Sequence, residues 1–308
     1  MKKAYIFCSK GLGDSLIFAL LANNLKRNNY EPILFHNFLD EINDLFDFEI
    51  KKYPKEDEIE DLLDLSSLII INSDSQNINQ KVLKTAKDKH NDKLFELHPS
   101  TCKGNKGFIG DHKFNINKTM LDNLIDFCHK KLKLNNLVKD NGLKNFEDLI
   151  YRKYKKRVII HPSSSDINKN WPEKKYIKLI KKLEKKDFEP KIILKNDEIN
   201  NFSILKNYAL KFNNLLEMSK YIYESGFMIG NDSGIGHLAS NLKIPTLIIF
   251  SSRRKKDFWR CDFYKNEIVY PYPILNIKGL RLRDKYWYKT IYTSKVFNKF
   301  INLTKDFL

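Results

Sequence analysis

"GFMIGNDSGIGHLASNLKIPTLIIF", residues 226–250, reads as strand, turn, helix and strand in succession. The apolar run 226–230 stops at the short polar turn Asp232-Ser233-Gly234. Residues 233–242 then have helical spacing, and Pro245 opens a second apolar run. Two strands bridged by one helix are the repeating unit of a parallel α/β sheet. The turn offers backbone N–H groups and the positive end of a helix, with His237 about one turn further on the same face. Such a place suits an anion, a phosphate above all. The plainer alternative is a capped helix whose histidine packs inside, and this stretch alone fits both.

Working outward, the rhythm extends through the second half: strands in "RVIIHPS" (157–163) and "PKIILK" (190–195), helices over 173–186, 201–212 and 218–225. The first half repeats it, with strands in "KAYIFCS" (3–9), "EPILFH" (31–36), "SSLIIIN" (66–72) and "KLFEL" (93–97). A helix covers 14–28, and an amphipathic one, 117–134, closes the domain. Residues 135–157 are polar and basic and hold Gly142. The expected organisation is therefore a Rossmann-like domain over 1–140, a linker over 141–156, a second Rossmann-like domain over 157–290, and a terminal helix over 291–308 with the first domain as one packing surface. Ligands of paired parallel sheets bind beyond the strand C-terminal ends, so residues directly after strands carry most information.

Composition narrows the partners. The chain has 308 residues, 42% of them apolar, and 55 Lys+Arg against 38 Asp+Glu, a net charge of +17. That excess favours anionic partners, although abundant Lys, Asn and Ile also follow from AT-rich codons, and the lysines are scattered rather than massed in a tail. Cys8, Cys102, Cys128 and Cys261 are far apart and suggest neither zinc nor a disulfide framework. No apolar run approaches the roughly 18 residues of a membrane span, and "MKKAYIFCSKGLGD" reaches Gly and Asp too early for a signal peptide, so a cytoplasmic protein is expected.

Three strand ends carry candidate chemistry. In "SKGLGDSL", Gly11 and Gly13 permit a tight turn and Asp14 opens a helix, as its N-cap or as a general base. Leu16 stands where a dinucleotide fingerprint has its third glycine, which argues against NAD. In "HPSSSDINKNWPEKKY", Ser163, Ser164 and Ser165 supply hydroxyls and N–H groups and Lys169 a cation, just before a Trp-Pro-Glu helix start. The third is the opening stretch.

In this order and spacing the three resemble glycosyltransferase family 9, the ADP-heptose:lipopolysaccharide heptosyltransferases, most specifically over Asp232-Ser233-Gly234 and His237-Leu238-Ala239. The resemblance implies a GT-B architecture, two Rossmann-like domains facing a central cleft, with the acceptor on the first and a nucleotide diphosphate sugar on the second. It implies Asp14, beside Gly11 and Gly13, as catalytic base; Lys169 as a contact to the phosphates and leaving group; and Asp232, Ser233, Gly234 and His237 as the pyrophosphate cradle, with Ser163 and Ser164 on the donor side. Glu198, in "IILKNDEIN", matches an acidic residue that holds the ribose. The implied reaction is inverting transfer of heptose from ADP-heptose to a lipid-linked lipopolysaccharide or lipooligosaccharide core acceptor. No metal or other cofactor is expected, since the chain has no D-x-D. Peripheral attraction to the anionic inner face of the inner membrane goes with it.

Two departures stand out. Ser251 follows "PTLIIF" where the family usually has glycine, and Arg27 is the sole arginine before the linker, leaving Lys103, Lys106 and Lys113 to grip an acidic acceptor. Two rivals remain: a family 9 transferase with a different nucleotide sugar or acceptor, or a non-catalytic nucleotide-sugar-binding protein. Nucleic acid is not expected, because the aromatics show no recognition-module pattern.

Overall fold

The computed structural model describes residues 2–99, 110–196, 198–253, 256–273 and 282–308. The chain divides into two compact units, Met1–Asn145 and Phe146–Leu308, each built on its own parallel sheet.

The first unit has strands β1 (Lys2–Phe7), β2 (Tyr30–Phe35), β3 (Glu49–Lys51), β4 (Leu68–Asn72) and β5 (Leu94–Leu97) in the order β3-β2-β1-β4-β5. Helices α1 (Leu12–Lys26), α2 (Ile59–Asp64), α3 (Asn77–Lys89) and α4 (Met120–Lys130) complete it. The inner strands β1 and β4 are apolar on both faces because helices cover both, so Tyr5, Phe7, Ile69 and Ile71 meet Val82, Leu83 and Ala86 of α3 in one core. Helix α1 is buried almost all round and is tied down by two buried asparagines, its own Asn24 and Asn141. Asn24 Nδ2 donates to Val138 O, Val138 N to Asn24 Oδ1, and Asn141 Nδ2 to Leu16 O.

Those bonds bear on the expected linker, 141–156. The boundary at Asn145/Phe146 falls inside it, yet Asn141 is held against α1, and Tyr154 already begins the next strand. Gly142 sits at φ +80° with Asn23 against it, a backbone state that a side chain would strain.

The second unit has β6 (Tyr154–His161), β7 (Glu189–Ile193), β8 (Ala209–Leu210), β9 (Ser225–Asn231), β10 (Thr246–Ile249) and β11 (Asn266–Val269), ordered β11-β10-β9-β6-β7-β8 and parallel throughout. Its helices are α5 (Glu173–Glu184), α6 (Leu215–Tyr223), α7 (Gly234–Asn241), α8 (Leu282–Tyr286) and α9 (Thr293–Thr304). The helix expected over 201–212 is instead a 3-10 turn, Leu205–Tyr208, running into β8. Phe202 and Leu205 are the buried side chains of that stretch while Ile204 and Tyr208 are exposed, so no helical apolar stripe exists. Helix α9, the expected terminal helix, lays Val296, Phe300 and Leu303 in this unit's core, with the Phe300 ring against Phe188 and Phe227. Each such burial contributes about 1.5–3 kcal/mol.

In each sheet the chain leaves one strand and later returns on its other side, between β1 and β4 in the first and between β6 and β9 in the second. The C-terminal ends of these pairs are where an open α/β sheet opens a ligand crevice.

Candidate active site

At the first switch point β1 leads through Cys8 to Ser9. Asp14 lies in the first turn of α1, but the cap position is Gly11, which makes no side-chain cap bond. The N-cap role for Asp14 is thereby set aside. Its Oδ2 accepts the Ser9 hydroxyl at 2.7 Å, and Ser9 Oγ accepts from Asn72 Nδ2, at the end of β4, at 3.0 Å. Ser9 and Asn72 are buried, while Asp14 is half-buried. A Cβ on Gly11 would stand 3.2 Å from Asp14 Oδ2, so the missing side chain keeps room for the carboxylate. Gly13 is buried in the same turn.

The loop is braced from both neighbouring strands. His36 Nδ1 accepts the N–H groups of Phe38 and Leu39 at 3.2 and 3.1 Å, which leaves the ring hydrogen on Nε2, 3.2 Å from Lys10 O. Lys10 N donates to Asp74 Oδ2 at 2.8 Å. Of the lysines expected on the acceptor side, Lys113 is exposed, and Lys103 and Lys106 lie outside the described residues.

At the second switch point both strands end in buried polar residues, His161 on β6 and Asn231 on β9. Asn231 Oδ1 accepts Trp171 N at 3.1 Å and Tyr176 Oη at 3.0 Å, while its Nδ2 donates to Pro162 O. One amide thus fastens the 162–171 loop, which carries Lys169, to the strand end from which Asp232 starts. A second clasp comes from residues 287–291: Trp287 Nε1 donates to Asn168 O, and Lys175 Nζ to Tyr288 O and Ile291 O.

Within this frame Lys169 is half-buried, and among the described residues no carboxylate pairs with it. Ser164 Oγ is engaged with Asp166 O and Asn170 Oδ1, whereas Ser163 Oγ is buried without a partner among the described residues. Asp232 N donates to Ile249 O at 3.3 Å. Ser233 caps α7 by position, yet its hydroxyl faces His161 Nδ1 at 3.2 Å rather than the helix. The first N–H groups of the helix, Gly234 among them, have no partner within it. His161 Nε2 lies 3.3 Å from Glu198 Oε2, which also accepts Lys195 N at 3.0 Å. Burial alone would raise the Glu198 carboxyl; the His161 bond and charge, with the Lys195 N–H, outweigh it and bring it down to about 2.

His237 is buried, with Nδ1 unpartnered among the described residues, and burial pushes its imidazole down to about 4. At neutral pH it is therefore an uncharged group. This has a consequence for stability. An ordinary histidine near 6.5 in the unfolded chain takes up a proton before the folded one does, so His237 stabilises the fold fully above 6.5. That stability is lost as pH falls towards 4, by about 3 kcal/mol. Urea unfolding across this window should show the slope in wild type and a flatter one in His237→Gln. Equal slopes would mean that the folded imidazole protonates normally. Glu198 acts in a lower window, losing its contribution between 4.5 and about 2.

Sequence reasoning passed over Ser9, Asn72, His161 and Asn231. One signal was present: each is the polar residue that ends an apolar strand run.

The model of glycosyltransferase family 9 (heptosyltransferase) matches residues 111–269, more than half of the chain. The chain belongs to glycosyltransferase family 9. The matched residues include Lys169, Glu198, Asp232 and His237, whereas Asp14 lies outside them. No curated protein sequence matches this family member. Among solved structures it is similar to a family 9 glycosyl transferase from Veillonella parvula, at TM-score 0.74 and 10% identity, covering 99% of this chain and 98% of that one. It is also similar to E. coli ADP-heptose lps heptosyltransferase II, at 0.67 and 13%, covering 99% of each. E. coli heptosyltransferase WaaC with ADP follows at 0.60 and 10%, covering 97% of this chain and 99% of that one. At such identities the likeness speaks for the fold, and the two parallel-sheet units are those of a GT-B glycosyltransferase.

Proposed function

We propose that this family 9 glycosyltransferase transfers heptose from ADP-heptose to a lipid-linked lipopolysaccharide or lipooligosaccharide core acceptor, by inverting, metal-independent displacement. The observation that carries the reading is the second unit's switch point, where a helix start with no side-chain cap bond from Ser233 and a lysine without an acidic partner among the described residues are held on two loops tied together by Asn231. The E. coli neighbours solved with ADP and with an ADP-heptose analogue support the choice of donor. The acceptor oxygen bonds to the anomeric carbon as the bond to the diphosphate breaks. Its proton passes to Asp14, and the departing ADP is stabilised by Lys169 and the N–H groups at the start of α7. Ser163 and His237, each with a buried atom that has no partner among the described residues, line the donor side as neutral hydrogen-bonding groups.

Release of ADP from ADP-heptose, measured with and without a core acceptor, tests the reaction. Acceptor-independent binding without turnover would favour a nucleotide-sugar-binding protein. Thermal shift against other nucleotide sugars tests the donor. Lys169→Ala should weaken donor binding or slow transfer by roughly tenfold or more, the worth of a charged hydrogen bond to phosphate. Wild-type kinetics in that variant would remove Lys169 from the site.

The lipid-linked acceptor also calls for peripheral attachment to the cytoplasmic face of the inner membrane. Among the described residues no helix is long and apolar enough to cross a membrane. A net +17 favours anionic lipid, at about 1 kcal/mol for each basic residue near the surface. In flotation assays, binding to anionic vesicles should fade with salt, and equal association with neutral vesicles would sink the idea.

A further inference from the structure

His161 is the last residue of β6 and almost wholly buried, at 1% exposure. Its two ring nitrogens face two different candidate donor ligands, Nε2 towards Glu198 Oε2 at 3.3 Å and Nδ1 towards Ser233 Oγ at 3.2 Å. Both consequences are local. Glu198 receives His161 and Lys195 N on the same oxygen, Oε2, which leaves Oε1 for a ligand hydroxyl. Ser233 stands where a serine hydroxyl normally accepts an N–H of the first helical turn, and the imidazole holds that hydroxyl instead, so the helix end keeps its donors for a ligand. The ring thus joins the loop after β7 to the turn after β9.

We infer that His161 is a positioning residue for the donor: one imidazole turns Glu198 towards the ribose hydroxyls and draws the Ser233 hydroxyl off the helix end that receives the diphosphate. This rests on the reading of the second unit as the nucleotide-sugar half. The carboxylate that it holds is ionised well below neutral pH, as a hydroxyl acceptor should be.

The two arms separate by substitution. An asparagine amide reaches the place of Nδ1 and a glutamine amide that of Nε2, so His161→Asn keeps the Ser233 arm and His161→Gln the Glu198 arm. Titration calorimetry of the full chain with ADP and with 2′,3′-dideoxy-ADP reads them apart. Wild type should prefer ADP. In His161→Asn that preference should collapse, with ADP bound roughly tenfold or more weakly and the dideoxy analogue nearly unchanged. His161→Gln should keep the preference and bind both more weakly, its Ser233 hydroxyl returned to the helix. In a Glu198→Gln background, which should itself lose the preference, His161→Asn should change the ratio no further. Wild-type affinity and preference in both His161 variants would overturn the inference. So would equal losses for both nucleotides in both variants, which mark a merely structural histidine. Wild type failing to bind ADP would instead overturn the donor reading, and this inference with it.

Discussion

Asp14→Asn is expected to lower turnover by roughly the 10²–10⁴-fold that general-base catalysis contributes, with little loss of stability or donor affinity. The structure sharpens this forecast. A capping aspartate would be replaced almost silently by asparagine, but the cap position is Gly11 and makes no side-chain bond, so capping is not what Asp14 supplies. Its Oδ2 accepts the Ser9 hydroxyl, which an asparagine carbonyl also accepts, so the Asn72–Ser9 support survives the exchange. What asparagine lacks is a site for the acceptor's proton. Turnover with the lipid-linked acceptor or a close mimic, alongside melting temperature and ADP affinity, decides the point. An Asn variant with near-normal turnover would end the base assignment and the mechanism built on it. Asp14→Ala should lose the same turnover and, because the Ser9 hydroxyl then loses its acceptor, about 1 kcal/mol of stability as well.

The second large effect is expected at Asn231, for the opposite reason: it does no chemistry. Its side chain is fully buried and satisfied on both ends, accepting from Trp171 N and Tyr176 Oη and donating to Pro162 O. Asn231→Ala strands a buried N–H, a hydroxyl and a carbonyl together, at about 1–3 kcal/mol each where no water replaces the amide. A loss on the order of 10 °C in melting temperature follows for a unit of this size. Donor affinity should fall with it, because the loop carrying Lys169 is released from the strand end carrying Asp232. Asn231→Asp is the more telling variant. It matches the amide in shape and keeps the acceptor for Trp171 and Tyr176, yet it sets a second oxygen against the Pro162 carbonyl. A comparable destabilisation is expected, and a wild-type melting temperature in either variant would show that the clasp is not what holds the loop.

Much of the fold was readable because it is written locally. The longer strands are apolar runs, and α4 and α5 show their buried faces at helical spacing. What escaped was short or weakly patterned. β3 is Glu49–Lys51 with one inward residue, β8 is two residues long, and α3 buries only Asn79, Val82, Leu83 and Ala86 of a largely polar stretch. The helix misread over 201–212 had apolar residues in number but not on one face.

The site divides in the same way. Asp14, Lys169 and the Asp232–Gly234 turn were visible in sequence, since a strand, a short polar or glycine-bearing turn and a helix start lie close together in the chain, and that geometry follows from backbone hydrogen bonding alone. The partners of those residues were not. Ser9 meets Asn72, His161 meets Glu198 and Ser233, and Asn231 meets Pro162, Trp171 and Tyr176, all across separations that no local pattern encodes. Sequence by itself determined two parallel α/β domains and the strand ends where polar groups gather. Only the tertiary structure decided that Gly11 rather than Asp14 holds the cap position, that the Ser233 hydroxyl turns from its helix to His161, and that His237 is buried with its imidazole pushed down. Each of those depends on which side chains the sheet order brings together and on how far water is excluded from them, and neither is a property of neighbouring residues in the chain.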